Sequence, residues 1–185
     1  NSYDILVTTD TDCYRDDGKL LFKFRKNVAS KDQSEIAFLA FKKLAKPSRG
    51  RGPAAGYIDP EATYWKKRKL VKYDKWSANY EVKGKVSKMK VGNEVASNPI
   101  GFYGETKSLG VNLPCRLSHY TRQEFLKYDE GIPYIQMLGD SYKELNPTMY
   151  WKQKERINNN PLMKIADTPF STVTVNRNFR TGIHT

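Results

Sequence analysis

The chain has two histidines, His119 and His184, and two cysteines, Cys13 and Cys115, so its capacity for metal or thiol chemistry can be judged by counting. A non-haem iron centre of the facial-triad kind needs two imidazoles and one carboxylate, with coordination positions left open. His119 lies in Leu117-Ser118-His119-Tyr120-Thr121, just before an expected helix, where capping or packing is the commoner use of a histidine. His184 ends an alternating run that begins at Ser171. The odd positions Val173, Val175, Phe179 and Ile183 are apolar, whereas Thr172, Thr174, Asn176, Asn178, Arg180 and His184 are polar. On a strand, one face would pack while the other brings amides, a guanidinium and an imidazole together. That polar row faces either a barrel interior or solvent, and a bulge near Asn176 to Asn178 would break the parity. With one imidazole and nothing at the second residue after it, the chain as given is not expected to hold Fe(II) tightly.

The second chemistry-bearing feature is charge. The 185 residues carry a formal net charge of +12, and residues 31 to 90 alone hold 16 basic against 6 acidic side chains. Such a field draws polyanions and speeds their encounter. Its densest part runs from Tyr64 to Trp76, where Trp65, Lys66, Lys67, Arg68, Lys69 and Trp76 interleave rings with cations. Cations pair with phosphates and rings stack on bases, a combination that suits nucleic acid. The alternative is a solvated amphipathic strand with its rings in the core. Upstream, the loop Pro47-Ser48-Arg49-Gly50-Arg51-Gly52-Pro53 adds two more guanidinium groups.

Elements must position these groups. The length suits one domain, 1 to 185, with a real core, and 12% aromatic residues argue against disorder throughout. No apolar run approaches the roughly 20 residues of a membrane span. Asn1-Ser2-Tyr3-Asp4 does not read as a signal peptide, and the missing initiator Met points to a trimmed or processed chain. Two cysteines exclude a disulfide scaffold and suit reduced intracellular thiols. Asp16-Asp17-Gly18 predicts a hairpin turn. Ser30 and Gln33 make a capping box for a helix burying Ala37, Ala40, Phe41 and Leu44, which Pro47 is expected to end. Thr121 and Glu124 predict a second capping box for a helix through Phe125 and Tyr128, and Ile135, Leu138, Tyr142 and Leu145 mark a further helix. Asn146-Pro147 caps another, near 147 to 157. Phe41, Leu138 and Val173 are expected in the core.

The segment from Phe170 to Thr185, with its Asn178-Phe179-Arg180-Thr181-Gly182-Ile183-His184 run, resembles the strand that carries the first iron ligand in the TET and J-binding-protein family of nucleic-acid-base dioxygenases, viral and phage-like members especially. Arg49 to Gly56, Ser97-Asn98-Pro99-Ile100-Gly101-Phe102 and Cys115-Arg116-Leu117 are similar to that family's upstream segments. The resemblance implies a double-stranded β-helix that uses Fe(II) and 2-oxoglutarate to oxidise the methyl group of thymine or methylcytosine in DNA. It implies His184 as the first metal ligand, and Arg49 or Arg51 beside the cosubstrate or base. Asn178 and Arg180 on the polar face would read the base edge. The family's carboxylate would follow Thr185, with its second His and oxoglutarate-binding Arg further on. The expected fold is therefore α+β, an incomplete, jelly-roll-like double-stranded β-helix with an amino-terminal hairpin and flanking helices, continuing beyond the carboxyl end. Without that continuation there is no triad and no cofactor. The alternative function is a non-catalytic basic protein of a nucleoprotein assembly or virion, of minor capsid type, and a plain DNA-binding module is a third. DNA is the expected partner, with no membrane, in an intracellular setting, nuclear or viral and phage-associated.

Overall fold

In a computed structural model of the chain, the described residues are 6–48, 51, 55–62, 65–66, 68–75, 77–89, 94–103, 106–108, 111–113 and 115–178. They form eleven strands and four α-helices, a mixed α/β chain with antiparallel sheets. Two compact units are distinguished: Asn1–Leu39 with Asp129–Ser171, and Ala40–Tyr128 with Thr172–Thr185. Among the described residues no helix is long and apolar enough to cross a membrane.

In the first unit, β1 (Thr11–Tyr14) and β2 (Leu20–Phe24) form the expected hairpin. Gly18 takes a φ of +78° in its turn, a conformation open to glycine at little steric cost. Helix α1 (Lys31–Phe41) starts at the expected box: the Gln33 N–H donates to Ser30 Oγ at 3.1 Å, and the Ser30 N–H donates back to Gln33 Oε1 at 2.9 Å. Ala37, Ala40 and Leu44 are buried and Phe41 is half-buried. The helix stops at Phe41, six residues short of Pro47, which instead lies in a strand.

Instead of two helices there is one of 21 residues, α3 (Phe125–Leu145), running through Pro133. Its buried line is Tyr128, Gly131, Ile135 and Gly139, spaced by three or four residues as a helix face requires. Leu138 falls outside that line and is 38% exposed, which corrects its expected place in the core. Gly139 is where α3 meets the loop that follows helix α4 (Pro147–Asn158). A Cβ there would sit 2.8 Å from Thr168 Cγ2, and Thr168 is fully buried with its hydroxyl donating to the Ile165 carbonyl at 2.7 Å. Asn146 caps α4 as expected, its Oδ1 accepting from the Met149 N–H at 3.2 Å, with Pro147 at the first position. Lys154, buried on α4, donates to Asp167 Oδ1 at 2.6 Å and to the Asp167 carbonyl, and Lys164 donates to the same Oδ1 at 2.8 Å. Those two cations hold the Asp167 carboxyl down at about 2.

The second unit is organised around β7 (Val95–Tyr103). One part of it pairs with β11 (Thr172–Asn176), its start with β3 (Pro47–Ser48) and its end with β10 (Arg116–Leu117), all antiparallel. The Gly101 N–H points away from β11, to Thr121 Oγ1 at 2.9 Å, so the missing N–H of Pro99, two residues earlier on the same side, breaks no bond to β11. Helix α2 (His119–Gln123) is capped by Ser118, whose Oγ accepts from the Thr121 N–H at 3.1 Å; Thr121 is thus inside the helix and Glu124 at its end, which corrects the expected second capping box. The reason is long-range: Ser118 and Thr121 are buried against β7, where the Ser118 N–H also bonds the Gly101 carbonyl at 2.8 Å. A three-stranded meander, β4 (Lys69–Tyr73), β5 (Ala78–Val82) and β6 (Lys85–Met89), and a hairpin of β8 (Thr106–Ser108) and β9 (Val111–Leu113) complete the described strands.

Candidate functional site

The basic tract becomes the β4–β5–β6 meander. Lys83 and Gly84, with φ of +51° and +76°, join β5 to β6 in a two-residue turn of the kind that matches strand twist. Between Leu70 and Lys72 the register slips by one residue, so Val71 is the extra member of a β-bulge. Cross-strand partners share a face. Leu70, Tyr80 and Ser87 therefore lie on one side, and there Leu70 and Tyr80 pack against Ile58, Trp65 and Ala78. On the other side lie two rows: Lys72, Asn79 and Lys88, then Lys69, Glu81 and Val86. The bulge is what puts Lys69 and Lys72, three residues apart, on one face.

Of the residues singled out in the sequence, Lys66 and Lys69 are exposed and Arg68 is half-buried, while Lys67 and Trp76 lie outside the described residues. Trp65 is 8% exposed; its Nε1–H donates to the Asp59 carbonyl at 2.8 Å and its ring meets Tyr80 at 6.0 Å. Its place is in the core, which corrects its assignment as a base-stacking residue. The exposed rings nearby are Tyr73 and Tyr57, the latter with Lys75 Nζ 4.0 Å from its centroid. Lys72, Tyr73, Asp74, Ser77, Asn79 and Lys88 line a shallow cleft of about 230 Å³. Asp74 is tied into the turn, accepting from the Ser77 N–H and Oγ at 2.7 Å each. Lys72, Asn79 and Lys88 escaped the sequence reading because their alignment depends on pairing and on the bulge.

The second group of residues lies at the end of β11. Val173 and Val175 are half-buried and Thr172, Thr174 and Asn176 exposed, the expected alternation. At its end the strand is clamped: the buried Ser97 Oγ donates to Asn176 Oδ1 at 2.6 Å, and the Arg177 N–H donates to the Ala96 carbonyl at 2.9 Å. Asn178 is exposed with a φ of +50°, so the regular alternation stops there. Arg177 shares a cleft of about 380 Å³ with Lys42, Lys43, Lys46 and Glu124, another cationic surface, with one ion pair at 3.4 Å between Lys46 and Glu124. Arg51 is half-buried, and its Nε–H is enclosed without a hydrogen-bond partner. An enclosed guanidinium donor in that state suits an anionic acceptor. Arg49, Arg180 and His184 lie outside the described residues. His119 is exposed at the first position of α2, with its ring edge-on to Tyr120 at 5.5 Å. Among the described residues, no three His, Cys, Asp or Glu side chains come together as a metal site.

Residues 99–185, from the middle of β7 to the last residue, match the family described as the oxygenase domain of the 2OGFeDO superfamily, of TET and J-binding-protein type. The chain belongs to that family through these residues. Among relatives, the bifunctional helicase and thymine dioxygenase JBP2 of Trypanosoma cruzi is 39% identical over 72 residues, 38% of this chain and 6% of that protein. The thymine dioxygenase JBP1 of Leishmania infantum is 27% identical over 141 residues, 74% of this chain and 16% of that protein. The JBP1 of Crithidia fasciculata is 30% identical over 94 residues, 51% of this chain and 11% of that protein. The chain thus spans a small fraction of the length of these relatives. No solved structure matches it. Membership of the TET and J-binding-protein family implies Fe(II) and 2-oxoglutarate as the reagents of its oxygenase domain.

Proposed function

We propose that this chain is part of an Fe(II)- and 2-oxoglutarate-dependent dioxygenase that oxidises the methyl group of thymine or methylcytosine in DNA, within an incomplete double-stranded β-helix. The observation that carries the reading is the match of residues 99–185 to the oxygenase domain, whose carboxyl-terminal part is the clamped strand β11 and the run leading to His184. The names of the relatives, thymine dioxygenases, supply the substrate class. His184 is the metal ligand in this reading, but the described residues do not complete a ligand set, so no step is drawn through iron. Arg51, with its enclosed and unpaired Nε–H, suits the carboxylate of the cosubstrate. Asn178 and Arg180 follow the clamped strand and would meet the base edge, for which the target base must leave the stack. DNA as partner places the action inside the cell.

The test is oxidation itself. The polypeptide that carries this chain is incubated with Fe(II), 2-oxoglutarate and duplex DNA, and the bases are analysed by mass spectrometry for gain of one oxygen on the thymine or methylcytosine methyl group. Product is expected, and His184→Ala is expected to abolish it while leaving DNA retention intact. No product from iron-loaded parent protein would refute the enzyme. The second reading would then stand, a non-catalytic basic protein of a nucleoprotein assembly or virion, favoured by the cationic meander.

A further inference from the structure

The cation-rich run from Lys66 to Lys69 is the obvious place to seat a polyanion, but the folded meander points to a different set of residues. Residues 66 to 88 hold nine basic and two acidic side chains. Folding sorts them: the packed side takes Leu70 and Tyr80, and the outer side takes Lys69, Lys72, Asn79 and Lys88. Lys72 and Lys88 flank Asn79 across two strand spacings, about 10 Å, and Lys69 lies two ladder steps, about 7 Å, from Lys72. These separations are close to the Debye length of about 8 Å at physiological salt, so the three fields overlap instead of acting singly. Among the described residues none of the three lysines has a carboxylate within ion-pair distance, although Glu81 stands opposite Lys69. The nearest other carboxylate, Asp74, accepts two hydrogen bonds from Ser77. A rigid row of cation, amide and cation, on a sheet rather than a loop, presents fixed donors at spacings that long lysine side chains can adapt to successive phosphates.

We propose that the outer face of the β4–β5–β6 meander, centred on Lys72, Asn79 and Lys88 with Lys69 beside them, seats the phosphate backbone of duplex DNA independently of its sequence. This deepens the reading above by naming the surface that carries the substrate polymer away from the reacting base, and it rests on that reading only for the choice of DNA as the polyanion. The contacts are electrostatic, so each phosphate engaged releases condensed counterions and steepens the salt dependence.

The test reads binding, not oxidation, so failure of the dioxygenase reading leaves it intact. Fluorescence anisotropy with a short labelled duplex of mixed sequence compares the parent chain with the triple variant Lys69→Gln, Lys72→Gln, Lys88→Gln. A charge-matched control carries Lys143→Gln, Lys152→Gln and Arg156→Gln on the exposed surface of α3 and α4. A third variant replaces the same three sheet lysines by Arg. The sheet triple is expected to weaken binding at least tenfold and to flatten the log-log salt slope by about 2 to 3. The control and the Arg variant are expected to stay within about threefold of the parent, which also shows that the sheet tolerates substitution at these positions. Parent-like binding by the sheet triple, or an equal loss in the control, would overturn the proposal. So would displacement of the duplex by polyglutamate as readily as by unlabelled DNA, which would point to an acidic protein instead.

Discussion

The close approach of Gly139 to Thr168 makes a quantitative prediction whose sign opposes that of the usual helix rule. In an exposed helix interior, Gly→Ala is expected to stabilise by about 1 kcal/mol. At Gly139 the new methyl would lie 2.8 Å from Thr168 Cγ2 and 3.1 Å from Thr168 Cβ. Thr168 cannot swing away freely, because it is fully buried and its Oγ1 both donates to the Ile165 carbonyl at 2.7 Å and accepts from the Phe170 N–H at 3.1 Å. Overpacking of this kind costs about 1 to 3 kcal/mol, so after the propensity gain Gly139→Ala should be net destabilising by up to about 2 kcal/mol. For a chain of this size that is a fall in Tm of several degrees, about 2 to 4 °C per kcal/mol. Thr168→Ser removes the offending methyl and keeps the hydroxyl, at a cost on the order of 1 kcal/mol for the space left behind. In the double variant the alanine methyl fills that space, so the two changes should couple favourably by at least about 1 kcal/mol in a double-mutant cycle. Thermal melts of the four proteins decide. If Gly139→Ala raised Tm, or if the two changes simply added, α3 and the loop would not meet there as described.

Other outcomes follow from the same structure. Ile100→Ala, at a fully buried position on β7, should cost about 2 to 5 kcal/mol in chemical denaturation, whereas Leu138→Ala, 38% exposed on α3, should cost much less. Ser118→Ala removes both the α2 cap and a partner of Thr121, and should cost about 0.5 to 2 kcal/mol; an unchanged midpoint would refute the capping geometry. Asp167 gives a pH signature. Its folded carboxyl sits at about 2, below the ordinary 3.8, so its contribution is fully present above about pH 4 and is lost as pH falls towards 2. Asp167→Asn should therefore flatten the acid limb of a stability-versus-pH curve, and a curve identical to the parent's below pH 4 would contradict the pairing with Lys154 and Lys164.

What was legible in the sequence was local. The Asp16-Asp17-Gly18 turn, the Ser30 and Gln33 box, the Asn146-Pro147 cap and the alternation through β11 each depend on residues within a few positions of one another, and each is found where its pattern lies. What escaped depended on partners far along the chain. Thr121 looks like a cap until the Gly101 N–H, twenty residues away, claims its hydroxyl. Trp65 looks like a stacking platform until Ile58, Ala78 and Tyr80 close around it. The helix through Leu138 was expected to bury leucine, but the glycines take the tight side, because backbone approaches closest where the side chain is smallest. The candidate site divides in the same way: the basic composition was plain, but its layout waited on the register of three strands.

The bulge at Val71 bears on how this strand can change over generations. Because Val71 is the residue without a cross-strand partner and its side chain is half exposed, removing it would restore plain alternation and leave Lys69, Leu70, Lys72 and Tyr73 on the sides they already occupy. A single-residue deletion at this point is thus nearly silent, whereas the same deletion at Lys75's side of the strand or within β5 would turn the strand over and send lysines inward. Length variation among descendants should accordingly collect at Val71, and a gap placed there when such chains are aligned keeps every lysine of the face in its own column.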